Sequence, residues 1–103
     1  MTHTSLDITI QPTPDAAVVT LHGELDLATA PRVDAALGAL DGTDVVVDLR
    51  SLSYLDSTGV QLLLRHDREA RALGRAFTLR PAPPGVQRLF ALTRTDTRLR
   101  FAA

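Results

Sequence analysis

Leu6-Asp7-Ile8-Thr9-Ile10 alternates apolar and polar residues with period two, the pattern of a half-buried strand. Pro12-Thr13-Pro14-Asp15 supplies turn residues, and Ala17-Val18-Val19-Thr20-Leu21 follows as a β-branched second strand, so the two read as an antiparallel hairpin. After Gly23 the period lengthens. Val33, Ala36, Leu37 and Leu40 fall at i, i+3, i+4 and i+7, one face of a helix. Thr29 is placed to cap its N-terminus, Pro31 suits a first turn where the missing N–H costs nothing, and Asp41-Gly42 ends it.

Val45-Val46-Val47-Asp48-Leu49 is nearly continuous and β-branched, as befits a central strand covered on one face or both. A second helix is predicted from Ser57 to about Leu73, with Gly74 as its C′ residue. Val60, Leu63, Leu64 and Ala70 form its buried stripe, Arg65, Arg68, Glu69 and Arg71 face outward, and Asp67 and Arg71 make an i,i+4 pair. Ala76-Phe77-Thr78-Leu79 is a further strand. Pro81 to Gly85 bends the chain into a short amphipathic helix carrying Val86, Leu89 and Phe90, and Arg98-Leu99-Arg100-Phe101 alternates again as a last edge strand. The predicted order is β-β-α-β-α-β-α-β: a single α/β domain spanning 1–103, with helices packed on a mixed β-sheet and right-handed parallel crossovers in its second half.

Composition narrows the chemistry. Eleven basic residues, all arginine, stand against twelve acidic ones, which leaves no basic footprint for nucleic acid. The absence of cysteine removes thiolate metal sites and cysteine nucleophiles, and the absence of lysine removes Schiff-base chemistry and a P-loop lysine. No apolar run is long enough to cross a bilayer. The start, Met1-Thr2-His3-Thr4-Ser5, lacks the basic-then-apolar pattern of a secretory signal. A cytoplasmic protein is expected.

The most unusual stretch is Leu52-Ser53-Tyr54-Leu55-Asp56-Ser57-Thr58-Gly59-Val60, between the central strand and the second helix. Loops at the carboxyl ends of strands carry function in open α/β sheets. Asp56, Ser57 and Thr58 crowd the helix N-terminus, and Gly59 inside the first turn costs roughly 1 kcal/mol against alanine, so a close approach by another group should compensate. Two readings of Asp56-Ser57 stay open on local chemistry: simple capping, or a phosphorylation site whose phosphate meets unpaired N–H groups and the positive end of the helix dipole. A hydrolytic triad lacks parts. His3 lies near the chain start, His66 is nine residues along the same helix, about 13 Å away at 1.5 Å per residue, and only His22 is geometrically open. Asp48 and Asp56 with Glu24 or Asp26 match no metal-loop spacing, and the scattered glycines form no dinucleotide fingerprint.

Leu21-His22-Gly23-Glu24-Leu25-Asp26 with Thr29-Ala30, and Val45-Val46-Val47-Asp48-Leu49 running through Leu52 to Val60, together resemble STAS domains, specifically the bacterial anti-sigma factor antagonists. The similarity covers almost the whole chain, and Val86-Gln87-Arg88-Leu89 is similar to the pattern in that family's short third helix. The resemblance implies a phosphoacceptor at Ser57, with Thr58 as a neighbouring second hydroxyl, and a partner-binding surface including Glu24, Asp26, Asp56, Ser57, Thr58 and Gly59. It implies partner switching by a protein that is not itself an enzyme. The dephosphorylated form binds an anti-sigma factor that is also a serine kinase, phosphorylation ends the interaction, and a PP2C-type phosphatase resets it. ATP and Mg²⁺ would belong to the kinase, leaving this chain without a cofactor. A STAS scaffold or transporter-associated subunit, not phosphorylated, is the alternative. Many members carry a further helix after the last strand, whereas this sequence ends at Ala103, so Leu99 and Phe101 are expected to be more exposed than usual in a monomer.

Overall fold

The alternation at the start of the chain becomes β1 (Leu6–Pro12), paired antiparallel with β2 (Ala17–Leu25), in a computed structural model that describes residues 5–102. His3 lies outside the described residues. Thr13 closes the hairpin loop: its hydroxyl accepts from Ala16 N and donates to Ala16 O, both at 2.9 Å. The remaining elements are α1 (Ala30–Gly38), β3 (Val45–Asp48), β4 (Leu52–Leu55), α2 (Ser57–Ala72), β5 (Phe77–Arg80), α3 (Pro84–Leu92) and β6 (Arg100–Phe101). The sheet runs β1-β2-β3-β5-β6, with every pair after the hairpin parallel. It is the mixed sheet expected of an α/β domain.

One element of the predicted order needs correction. Leu52–Leu55, expected as loop, is the strand β4, so the order is β-β-α-β-β-α-β-α-β. It pairs with the distal half of β2, whose proximal half pairs with β3. β3 and β4 therefore occupy the same place beside β2, separated by a tight turn in which Leu52 N donates to Leu49 O at 3.0 Å. At the junction Gly23 has φ +121°, and a Cβ there would collide with Ser5 O, so no other residue fits.

Alternation decides where the core lies. Val19, Leu21, Val47 and Leu79 point to one face and are fully buried, while their neighbours Val18, Thr20, Val46 and Thr78 are only half-buried. The central strand is thus closed off on one face only, by α1 and α2, which its right-handed crossovers place together. Val33 and Leu37 of α1 and Val60, Leu63 and Leu64 of α2 fill that side. The expected stripe of α2 is wider, because Leu62, His66 and Asp67 are buried as well and Ala70 only partly. Gly74, at φ +70°, ends α2 as its C′ residue.

The C-terminal expectation also needs correction. Leu99 is buried, and half-buried Phe101 packs edge-on against Phe90, ring centroids 5.1 Å apart at 69°. Pairing of β6 with β5, closed by Ala102 N donating to Leu79 O at 2.8 Å, carries both side chains over the core. Among the described residues no helix is long and apolar enough to cross a membrane.

Candidate functional site

Asp56 holds the site together. It is the N-cap of α2 in extended backbone, and its Oδ1 accepts from Gly59 N at 3.1 Å, the bond that a capping carboxylate supplies to an orphan donor. Its Oδ2 accepts from Leu27 N at 3.2 Å, twenty-nine residues away, and its own N–H donates to Leu25 O at 3.2 Å. One carboxylate thereby locks the loop between β2 and α1 onto the start of α2. The capping reading of Asp56 is correct, and it extends to a second loop.

Ser57 follows as the first residue of α2 and is exposed; Thr58 is half-buried and Gly59 buried. Ser57 therefore stands at the positive end of the helix dipole, in the turn whose N–H groups have no partner within the helix. Gly59 is required by contact. A Cβ there would lie 2.6 Å from Leu55 Cδ1 and 2.8 Å from Leu25 Cγ, so the missing side chain lets α2 close down on the ends of β2 and β4.

The loop opposite is organised by Asp26, and the expected cap of α1 holds in position but not in its side-chain bond. Thr29 occupies the cap position, but its backbone is already helical and its side chain makes no capping bond. Its buried hydroxyl instead donates to Glu24 O at 2.8 Å and accepts from Asp26 N at 3.0 Å. Asp26 Oδ1 accepts from Ala28 N at 2.9 Å and Thr29 N at 3.1 Å in the turn just ahead of the helix, whose own first donors, Ala30 N and Arg32 N, go to the carbonyls of Asp26 and Thr29. Asp26, Asp56, Ser57, Thr58 and Gly59 are thus gathered at one end of the sheet. Glu24 is not drawn in by its side chain: its Oε2 accepts from Ser5 N at 3.4 Å, and only its carbonyl joins the loop network.

Leu27 is the residue that sequence reasoning missed. It is 73% exposed although apolar, and its N–H donates to Asp56, which ties its backbone to the start of α2. It rims an open groove of about 440 Å³ between α1 and α2 that also includes Ala30, Pro31, Thr58, Gln61 and Leu62. A lone exposed leucine carries no periodic signal, so nothing in the sequence marks it out.

Other candidate groups are committed elsewhere. His66 is buried and its Nε2 meets Asp34 Oδ1 at 2.7 Å, bridging α2 to α1 rather than reaching toward Ser57. Arg65 donates to the same oxygen at 2.8 Å, and this hydrogen bond, seconded by that of His66, holds the Asp34 carboxyl below its ordinary value. His22 is exposed beside Asp7 on β1. Asp48 is buried between Arg50 and Arg80, and the Arg50 hydrogen bonds foremost hold its pKa at about 2 despite burial. Arg71 pairs with the buried Asp67 at 2.9 Å, whereas Arg68 is exposed. Among the described residues no three His, Asp or Glu side chains converge as a metal-ligand group.

The model of the family described as "Mlab, STAS domain" matches residues 8–100. The chain is 37% identical over 76 residues to an anti-sigma F factor antagonist from Lysinibacillus sphaericus, covering 69% of this chain and 65% of that one. It is 33% identical over 76 residues to osmosensory protein A from Mycobacterium tuberculosis, covering 72% of this chain and 48% of that one. The chain therefore spans between about half and two thirds of the length of these curated relatives. A crystal structure of an anti-sigma factor antagonist from Mycobacterium paratuberculosis superposes with a TM-score of 0.85 at 27% identity, over 95% of this chain and 86% of the other.

Proposed function

Because this chain belongs to the STAS domain family, we propose that it is an anti-sigma factor antagonist that works by partner switching, with Ser57 as its phosphoacceptor. The supporting observation is the Asp56 clamp. It presents an exposed serine at a helix N-terminus and ties the backbone of the exposed, apolar Leu27 to the same place. A folded acceptor of this kind needs no rearrangement to be modified, since the helix end tolerates the phosphate.

In this reading the dephosphorylated protein docks through Asp26, Leu27, Asp56, Ser57, Thr58 and the Gly59 turn onto a serine-kinase anti-sigma factor. Glu24 lies at the margin of that surface. The kinase supplies ATP and Mg²⁺ and transfers the phosphoryl group to the Ser57 oxygen, so this chain is substrate rather than enzyme and carries no cofactor. Phosphorylation adds roughly −1.5 to −2 charge at pH 7. Placed inside a docked surface beside Asp56, that charge brings desolvation and like-charge costs and releases the partner. A PP2C-type phosphatase restores the binding form. Thr58, half-buried, is the poorer acceptor. In this reading the domain works in the cytoplasm as a monomer, without nucleic acid or membrane as partner.

The test uses the anti-sigma factor kinase that co-purifies with the Ser57→Ala variant. Ser57→Ala should bind it and stay bound in ATP and Mg²⁺, whereas Ser57→Asp should bind weakly. Equal affinity of both variants would instead support a scaffold or transporter-associated role without phosphorylation.

A further inference from the structure

A second surface lies on the other side of β4. β4 is hydrogen-bonded to β2 along one edge, but no strand among the described residues pairs with its other edge. β5 would be the neighbour there, yet it ends at Arg80, level with Asp48, and the chain departs through Pro81-Ala82-Pro83 into α3. Between the open edge and α3 lies a groove of about 660 Å³, larger than the one between α1 and α2. Its walls include Leu52, Leu55, Val86 and Leu89, and its rim carries Tyr54 and Leu92, 49% and 71% exposed.

The charge of this groove has one sign. Arg50 and Arg88 line it, and no carboxylate does. Arg50 shares the buried Asp48 with Arg80, leaving that trio with one net positive charge, and exposed Arg88 makes no ion pair among the described residues. An unpaired strand edge offers backbone donors and acceptors in a fixed register, and an extended peptide satisfies them while alternate side chains enter the apolar floor.

We propose that the open edge of β4 and the facing side of α3 bind an extended, acidic segment of a partner protein, which adds to the sheet as a short strand with apolar and acidic residues alternating. Four residues of β4 at about 3.3 Å each span about 13 Å, so the segment is roughly four to six residues long. The groove lies along the edge of β4 away from β2, whereas Leu27 follows the end of β2, and the inference does not depend on phosphorylation.

The test is selection of a pool of phage-displayed random dodecapeptides on the intact protein, followed by binding of the synthesised winners. The expected winners alternate apolar with Asp or Glu residues and lose at least about tenfold in affinity to Arg88→Glu. They should shift the amide resonances of Ser53, Tyr54 and Leu55 and bind Ser57→Asp as well as the unsubstituted protein. Arg88 is exposed and unpaired, so the variant should fold, as circular dichroism can verify; Leu92→Ser offers an independent lesion in the same rim. The proposal is overturned by a pool without enrichment, by winners lacking acids, by affinity indifferent to both substitutions, or by self-association through the groove. It is equally overturned by shifts centred on Leu27 and Ser57, a result that would leave the Ser57 reading standing.

Discussion

Gly59→Ala sets two effects of opposite sign against each other. In an open first turn the substitution would stabilise α2, by up to roughly 1 kcal/mol from helix propensity. Here the new Cβ would meet Leu55 Cδ1 at 2.6 Å and Leu25 Cγ at 2.8 Å. Both leucines are buried, Leu25 completely, and Cγ is a branch point that cannot swing aside as a terminal methyl can. Overpacking of this kind costs about 1–3 kcal/mol. Relief by sliding α2 outward would break the 3.1 Å bond from Gly59 N to Asp56, worth about another 1 kcal/mol. The contact should win, with a net destabilisation of about 1–2 kcal/mol. At about 4–8 °C per kcal/mol for a domain of this size, the midpoint of thermal unfolding should fall by roughly 5–15 °C. Urea unfolding followed by circular dichroism measures the free energy directly. Leu55→Ala combined with Gly59→Ala should cost less than the sum of the single changes, because the added methyl then enters the vacated space. Unchanged or increased stability of Gly59→Ala, or strict additivity in the double variant, would refute the argument that close packing requires this glycine.

Further outcomes follow from the same geometry. Asp56→Ala should lose about 1–2 kcal/mol of stability and accelerate amide exchange at Leu27 and Gly59, whereas Asp56→Asn, which keeps an acceptor oxygen, should lose less; equal exchange in both variants would remove the clamp. Asp48 titrates at about 2 rather than 3.8, so its ionised form stabilises the fold above pH 4 and that contribution disappears as pH falls toward 2. The stability gap between the unsubstituted protein and Asp48→Asn, read from urea melts, should therefore shrink by on the order of 2 kcal/mol between pH 5 and pH 2; a constant gap would contradict the ion-pair assignment. Leu27→Asp should leave stability within about 0.5 kcal/mol, the side chain being exposed, while weakening anti-sigma factor binding at least about tenfold in surface plasmon resonance. Phe90→Ala, which removes a fully buried ring stacked edge-on against Phe101, should cost about 3–5 kcal/mol in the same urea assay.

The parts of the molecule legible in its sequence are those set by local periodicity. Alternation marks the hairpin, the i, i+3, i+4 spacing marks α1 and α2, and the Asp56-Ser57-Thr58-Gly59 run marks the helix start where the site lies. β4 escaped because four residues carry too little alternation, and because its partner is the far end of β2, some thirty residues earlier. Thr29 stands at the cap of α1, as its residue type and position predict, but its side chain supplies no capping bond. Tertiary contact decides this, since the Thr29 hydroxyl is drawn inward to Glu24 O while Asp26 takes the Ala28 and Thr29 N–H groups ahead of the helix. Likewise the burial of Leu99 depends on β6 reaching β5, and the pairing of His66 with Asp34 on a helix–helix contact, neither of which leaves a trace along the chain. The Asp56 bond to Leu27 N belongs to the same class.

The central claim is that one phosphate on Ser57 turns off a pre-formed docking surface. Isothermal titration of the anti-sigma factor kinase with the unsubstituted protein, in unphosphorylated and singly phosphorylated forms with the site mapped by mass spectrometry, tests it most directly. Ser57 should carry the phosphate, and a penalty of about 3 kcal/mol predicts roughly a hundredfold weaker binding of that form. Equal affinity of the two forms, or phosphate found elsewhere on the chain, would contradict the account.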